Sequence, residues 1–581
     1  MYCPECGTQI ENGSRFCPEC GTKVEQIVPE ESMTTQSHEE DSKDDGTQIA
    51  SVLIFTNVTL LAKQMNVKAT DIYELFDKFI EIKAQYGIRY KLVDAGDYKY
   101  HKKGFLGTSK KVSLNADSEI WDYMDILMDT HKYESGHDSL VSQYLFIIGG
   151  DNIIPMPCVK HYIPNDKHDD TIDSDILYAY PYGSDMLPLL ENQEIFKHDQ
   201  LFFIGRLPFG EDASYDDLYN YLQRDIDNST GICMNGAYGQ CDPNWKNISV
   251  KTSKEFSAHM RNFEGRLSPE HYYLKMILSP MVDDSNVNQI LHPEASLYYF
   301  NLHGSNAVKV RGYAGAPRGE NRTRMVIQPE HLTIPRHPNV VVSEACYGGR
   351  FIGLDKHHSM LLSAIHSQTM NFVGSSRVAW GGVDSPQTTP TNPSLRNADL
   401  IANVFTTSML QGYTAGQSLF MARSAVLEKQ TEGDLLAALS VVEFNLYGDP
   451  IMFMTEPSVE NKLLQKHIDT KPFVAPDANV QSSISDLTFE KENASTSILD
   501  RVRGLVDDNI AQIHTKIGKH LYEQFGLKPR QAETILKIKY GNGREEYNYT
   551  YKASESDSEI PLFFSVTVSS DGQIENVYSS K

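Results

Sequence analysis

The chain is short of positive charge. Its 581 residues carry 53 Lys and Arg against 77 Asp and Glu, a formal net charge of −24. A surface with that balance is not built to wrap nucleic acid or to lie on an anionic bilayer. Long hydrophobic runs are missing too. No stretch approaches the ~18 apolar residues of a membrane span, and the first residues show no basic segment followed by an apolar one. The expectation is a cytoplasmic protein with no membrane partner and with nucleic acid an unlikely one. A disulfide framework is also missing. There are eight cysteines, and four of them, Cys3, Cys6, Cys17 and Cys20, crowd into the first twenty residues. A chain of this length has core enough not to need staples.

What those four cysteines do form is a metal-ligand pattern. "CPECGTQIENGSRFCPECG" holds two C-x-x-C knuckles, each running into a glycine, Gly7 and Gly21. Each knuckle can place two thiolates on one tetrahedral ion, and glycine permits the tight turn that brings backbone amides toward the sulfurs. Four sulfurs close the coordination sphere, so the expected Zn2+ is structural. The pattern resembles zinc-ribbon modules.

The rest divides by texture. Residues 1–25 are the ribbon, and 26–48 an acidic flexible linker. Residues 49–228 and 229–455 are two joined α/β halves, the second one catalytic. Residues 456–490 are a second linker, and 491–581 a small α+β accessory domain. Apolar runs such as "IASVLIFTN", "YLFIIGGD", "SLYYFNLHGS" and "PNVVVSEACYGG" alternate with helical periods such as "DIYELFDKFIEIKAQYG". That alternation predicts an α/β fold with a parallel sheet covered on both faces. The last domain reads as an amphipathic helix followed by three alternating runs, a helix on a small antiparallel sheet.

Two of these strands end in reactive side chains. "SLYYFNLHGS" ends at His303 and Gly304, and "PNVVVSEACYGG" at Cys346. Sites in open parallel sheets form beyond the carboxyl ends of the strands, so neighbouring strands would bring the imidazole and the thiol to one rim. There His303 can act as base and Cys346 as nucleophile. The amides of Gly304 and Cys346 can form a two-donor oxyanion hole. Residues two apart on a strand share a face, so Glu344 sits on the side of Cys346. An inert core cysteine and a core histidine are the competing readings, as is a pairing of Glu344 with Arg377.

"NLHGS" followed by "SEAC" resembles the His-Gly and Ala-Cys signatures of the caspase-like (clan CD) cysteine peptidases. "FIIGGDNIIP", "SDILYA", "FIGRLP", "NFVGSSRVAWGG" and "LYGDPIMF" are similar, in order, to landmarks of the gingipain-type family over roughly residues 50–455. The resemblance implies a caspase-like core and cysteine endopeptidase activity. It implies that Glu344 lines the specificity pocket, which would favour cleavage after Arg or Lys. It also implies that Trp380 is a pocket aromatic, and Asp242 a candidate pocket acid. Asp173 and Asp175 are candidates to orient His303. The aspartates of "DKHDDTIDSD" are a possible Ca2+ site, because some relatives bind calcium. The arginine-rich "KVRGYAGAPRGENRTRM" between the His and Cys strands could be a self-cleavage site or plug the pocket. A protein or peptide substrate is expected, with regulatory proteins reached through the ribbon or the last domain. The rivals are a catalytically silent scaffold, an Asn-specific legumain-like peptidase, and a zinc-ribbon nucleic-acid binder.

Overall fold

The structure is a computed structural model. It describes residues 49–581 except 98–99, 104–108, 113, 115–117, 161–170, 185, 188–193, 261–273, 279–290, 292, 308–311, 317–322, 384–394, 430–433, 456–487, 493, 495–507, 526–531, 553–559 and 561. The four ribbon cysteines, the acidic linker and most of the second linker lie outside the described residues.

Ten strands form the central sheet: β1 (Ala50–Thr56), β2 (Ile88–Asp94), β3 (Tyr144–Ile148), β4 (Phe203–Leu207), β5 (Ala237–Cys241), β6 (Leu274–Leu278), β7 (Leu297–Asn301), β8 (Asn339–Ser343), β9 (Thr369–Ser375) and, after a short strand β10 (Trp380–Gly381) that belongs to another sheet, β11 (Phe444–Gly448). The order across the sheet is β6-β5-β7-β8-β9-β11-β4-β3-β1-β2. Every residue of β1, β3, β7, β8, β9 and β11 is buried. Near-continuous apolar strands of this kind are expected where helices cover both faces. The helices start on ordinary signals. Ser214 and Asp217 make a capping box on Tyr215–Asp227, and Ser359 and Asp434 cap Met360–Ile365 and Leu435–Glu443.

The sheet departs from the expected all-parallel arrangement at one junction. β9 and β11 are antiparallel, with Phe372 opposite Tyr447, whereas the strands on either side of the junction run parallel to one another. The two halves thus share one sheet but point in opposite directions. The carboxyl ends of β5, β7 and β8 lie together on one rim.

The C-terminal domain has a helix, Asp508–Phe525, and five strands: β12 (Thr488–Lys491), β13 (Thr534–Lys539), β14 (Glu545–Lys552), β15 (Phe563–Ser569) and β16 (Ile574–Ser580). Its sheet has the order β10-β16-β15-β14-β13-β12. The sixth strand, β10, is therefore supplied by the second α/β half. The apolar core of this domain also crosses the boundary: Ile510, Ile513, Ile517, Tyr549 and Val566 cluster with Trp245 and Ile248.

Candidate active site

Three neighbouring strands, β5, β7 and β8, deliver the site. The ladder runs on past their ends: Asp242 N–H donates to Asn301 O at 2.9 Å, and Glu344 N–H to Phe300 O at 2.8 Å. His303 is held by reciprocal main-chain bonds with Ala314, both 2.8 Å. Ala314 lies in a hairpin, Tyr313–Gly315 with Arg324–Ile327, formed by described parts of the arginine-rich segment. After Glu344 the chain turns sharply. Tyr347 sits in the left-handed region with φ 56°, costly for a bulky residue. Bonds from Tyr347 N–H to Arg377 O (2.7 Å) and from Gly348 N–H to Ala345 O (3.0 Å) hold the turn. Cys346 lies in it, buried, with its sulfur 3.7 Å from Ala379 O.

His303 is fully buried and neither ring nitrogen has a hydrogen-bond partner. Its imidazole therefore makes no hydrogen bond to the Cys346 thiol in this arrangement. The ring lies 4.5 Å from that of Trp245, centroid to centroid. Its Nε2 is 3.7 Å from Asp242 Oδ2. Burial pushes the His303 pKa below its usual value; Asp242 opposes the shift and Lys581 adds to it. A buried imidazole kept neutral near pH 7 is in the form that accepts a proton.

The residue that organises this rim is Lys581, the last of the sequence. The N–H groups of Gly304 and Cys346 both point at its main-chain oxygen, at 3.4 and 3.3 Å. Gly304 can approach that closely because it has no side chain: a Cβ there would meet Cys346 O at 1.7 Å. Lys581 N–H donates to Ala379 O at 2.9 Å, and β16 pairs antiparallel with β10, Ser580 opposite Trp380 and Ser579 opposite Gly381. The Lys581 side chain is fully buried, with its ammonium 2.6 Å from Asp399 Oδ1 and 3.5 Å from Glu344 Oε2. The same ammonium stands 4.2 Å from the centre of the Trp245 ring.

Each carboxylate is tied down by one oxygen and offers the other. Asp399 Oδ2 accepts from Gly382 N–H at 2.6 Å and from Arg396 N–H at 3.3 Å. Glu344 Oε1 accepts from the Tyr299 hydroxyl. Burial, together with the neighbouring Asp399, drives the Glu344 pKa well above the carboxylate range, and the Lys581 ammonium pulls it back. Two desolvated acids this close require a cation or a proton between them. Gly381 forms the wall: a Cβ on it would meet Lys581 Cε at 2.2 Å and Asp399 Oδ1 at 2.9 Å.

The site residues expected from the sequence fall out as follows. His303, Gly304, Glu344 and Cys346 gather around Lys581. Asp242 contacts His303, Asn244 N–H (2.9 Å) and Ala316 N–H (2.6 Å), so it stands at the histidine and not at the ammonium. Trp380 supplies the strand backbone beside Ser580, and the indole facing the ammonium is that of Trp245. Asp173 and Asp175 are engaged elsewhere, with Arg377 (2.9 Å) and Arg206 (2.6 Å). That leaves Arg377 away from Glu344. A Ca2+ site has no support: no group of acids or histidines among the described residues is placed to hold a metal ion, and residues 161–170 of that loop lie outside them. Arg311, Arg318 and Arg322 of the proposed plug also lie outside; the side chain in the pocket is Lys581. Asp399, Trp245, Gly381 and Lys581 were not found from sequence. Trp245 stands three residues after Asp242 in "CDPNW", and Asp399 reads as an ordinary acid in the first turn of Ala398–Leu410.

The model of a zinc-ribbon domain matches residues 2–24, which span all four N-terminal cysteines. No curated protein matches the chain. Among solved structures, the chain is similar to the complex of Porphyromonas gingivalis RgpB pro- and mature domains, at 12% identity and a TM-score of 0.45, over 91% of this chain and 99% of that one. It is also similar to the Arg specific cysteine proteinase gingipain R (12%, TM-score 0.42, 92% and 98%). A third likeness is to the Saccharomyces cerevisiae separase–securin complex (12%, TM-score 0.29, 66% and 23%). The pocket geometry, and not these likenesses, carries the functional reading. No helix among the described residues is long and apolar enough to cross a membrane.

Proposed function

We propose that the protein is a caspase-like cysteine endopeptidase that cleaves after a basic residue, lysine being the one its pocket fits. The observation that carries this is the seat of Lys581, with its main-chain oxygen between two converging amides beside Cys346 and its ammonium between two buried carboxylates. A substrate would add as a strand along β10, as β16 does, with its basic side chain toward Asp399 and Glu344.

In the reaction the Cys346 sulfur attacks the carbonyl carbon of the basic residue, and its proton passes to His303. The carbonyl oxygen takes up the negative charge and is held by the N–H groups of Gly304 and Cys346. Collapse of the tetrahedral species breaks the C–N bond, His303 protonates the leaving amine, and a thioester remains. Water, deprotonated by His303, attacks the thioester, releases the acid and restores the thiol. Asp242 positions the imidazole. Four thiolates from Cys3, Cys6, Cys17 and Cys20 are a donor set suited to Zn2+, which would hold the ribbon's fold and take no part in these steps.

A peptide library digested by wild type, Cys346→Ala and Glu344→Ala tests this. Cleavage confined to bonds after Lys or Arg, lost in Cys346→Ala and weakened in Glu344→Ala, is expected. Cleavage after Asn, or cleavage that survives Cys346→Ala, would refute it. No cleavage by any of the three favours the silent scaffold.

A further inference from the structure

The pocket is not open to substrate. Its occupant is built into the C-terminal domain, and the domain is fastened to the catalytic half at several points. The β10–β16 pairing runs one sheet through both. Trp245 packs in the domain's apolar core, donates from Nε1 to Ser579 Oγ at 3.0 Å, and presents its ring to the Lys581 ammonium. Arg396 Nη1 donates to Asn576 Oδ1 at 2.6 Å, and its guanidinium lies 5.6 Å from the Tyr578 ring. The Tyr578 hydroxyl donates to Asp434. Thr323 Oγ1 donates to Ile560 O at 3.0 Å. Together these hold residues 579–581 where a substrate strand would lie.

We propose that Ser579–Lys581 is an inhibitor in cis, a substrate-like segment that the C-terminal domain holds in the cleft, so that basic peptides enter only when it is displaced. The proposal rests on the peptidase reading for the pocket's purpose. Occupancy of the pocket by Lys581 stands on the geometry alone. A tethered ligand competes at a local concentration on the order of mM, well above that of any dilute substrate. The pairing of β16 with β10 is two residues long, Ser580–Trp380 and Ser579–Gly381, whereas its pairing with β15 runs from Ser579–Phe564 to Ile574–Val568, so the segment can leave β10 with β16 still on β15. Trp245 links the pocket to the domain, since one indole touches His303, Lys581 and the domain core.

The test uses the full chain. A fluorescent peptide ending in Ser-Ser-Lys is titrated into Cys346→Ala and into Cys346→Ala/Lys581→Gln, and turnover of a lysyl substrate is measured for wild type and Lys581→Gln. Lys581→Met, which keeps the aliphatic stem, is carried in parallel in case Gln disturbs the fold. Binding at least about 10-fold tighter, and turnover at least about 10-fold faster, are expected once the lysine charge is gone. Equal peptide affinity with and without Lys581, absence of binding to both included, overturns the inhibition. Equal and brisk turnover by both chains overturns it too, and leaves the peptidase reading standing. Tighter peptide binding with no turnover by either chain supports the occupancy and removes the peptidase.

Discussion

Both halves of the central sheet bury basic side chains against carboxylate, and Arg206 in one and Lys581 against the other do so differently. In the N-terminal half Arg206 is fully buried and every arm is used. Nε and Nη2 donate to the two oxygens of Asp175 at 2.7 and 2.6 Å, and Nη1 donates to Gly149 O and Ile154 O at 3.0 and 2.8 Å. All of those partners belong to its own half. In the second half the buried cation is Lys581, which arrives from another domain and stands against the free oxygens of Asp399 and Glu344. A forked guanidinium with all its donors satisfied is part of the framework. An ammonium that comes from another domain, held as a point charge by acids that are anchored without it, takes on the proposed reading the place of an exchangeable guest. On the proposed function, the same chemistry serves stability in one half and selection in the other.

The comparison can be broken most severely at Arg206. Arg206→Leu leaves Asp175 buried and unpaired, and should cost about 3–5 kcal/mol in urea unfolding; a shift under about 1 kcal/mol would mean the pair is not structural. The matching change in the pocket should act on selection. In the Lys581→Gln chain, Asp399→Asn should lower kcat/KM for lysyl substrates by about 100-fold, the worth of one charge-assisted contact, with a smaller stability change than Arg206→Leu. Steady-state kinetics beside urea curves separate the two effects. Gly381→Ala should lower lysyl kcat/KM by about 10-fold, because its methyl meets the lysine stem, and should spare substrates with a small residue there. The smallest effect is that of pH. Burial holds the His303 pKa below about 6.5, its value in the unfolded chain. Between the folded and the unfolded value the folded chain binds fewer protons, so acidification through that window lowers stability. Activity that needs neutral His303 falls lower, as pH drops through the folded-state value. A kcat/KM profile with its acid limb above pH 6.5, the unperturbed value, would contradict the burial assigned to this ring.

Much of the framework was legible. Continuous apolar runs gave β1, β3, β7 and β8, because strands covered on both faces cannot alternate. His303 and Cys346 stood at strand ends, where parallel sheets place their sites. What was not legible depends on long-range geometry. Nothing in "FNLYG" says that β11 runs antiparallel to β9. β16, "IENVYSS", hides as a strand because its buried serines are satisfied by specific partners, Ser579 by Trp245 and Ser580 by Phe563 N–H. Asp399 sits at an unremarkable helix start, and the closing turn to Gly382 that aims its carboxylate appears only in three dimensions.

The most direct test of the account labels one thiol among several. The Lys581→Gln chain is treated with a peptidyl-lysine acyloxymethyl ketone, and the adduct is mapped by mass spectrometry, with the exposed Cys158 as internal comparison. The label should fall on Cys346, and should be sharply lost in the Asp399→Asn variant of the same chain. No adduct on Cys346, or equal labelling of Cys346 and Cys158 whether or not the reagent carries lysine, would contradict it.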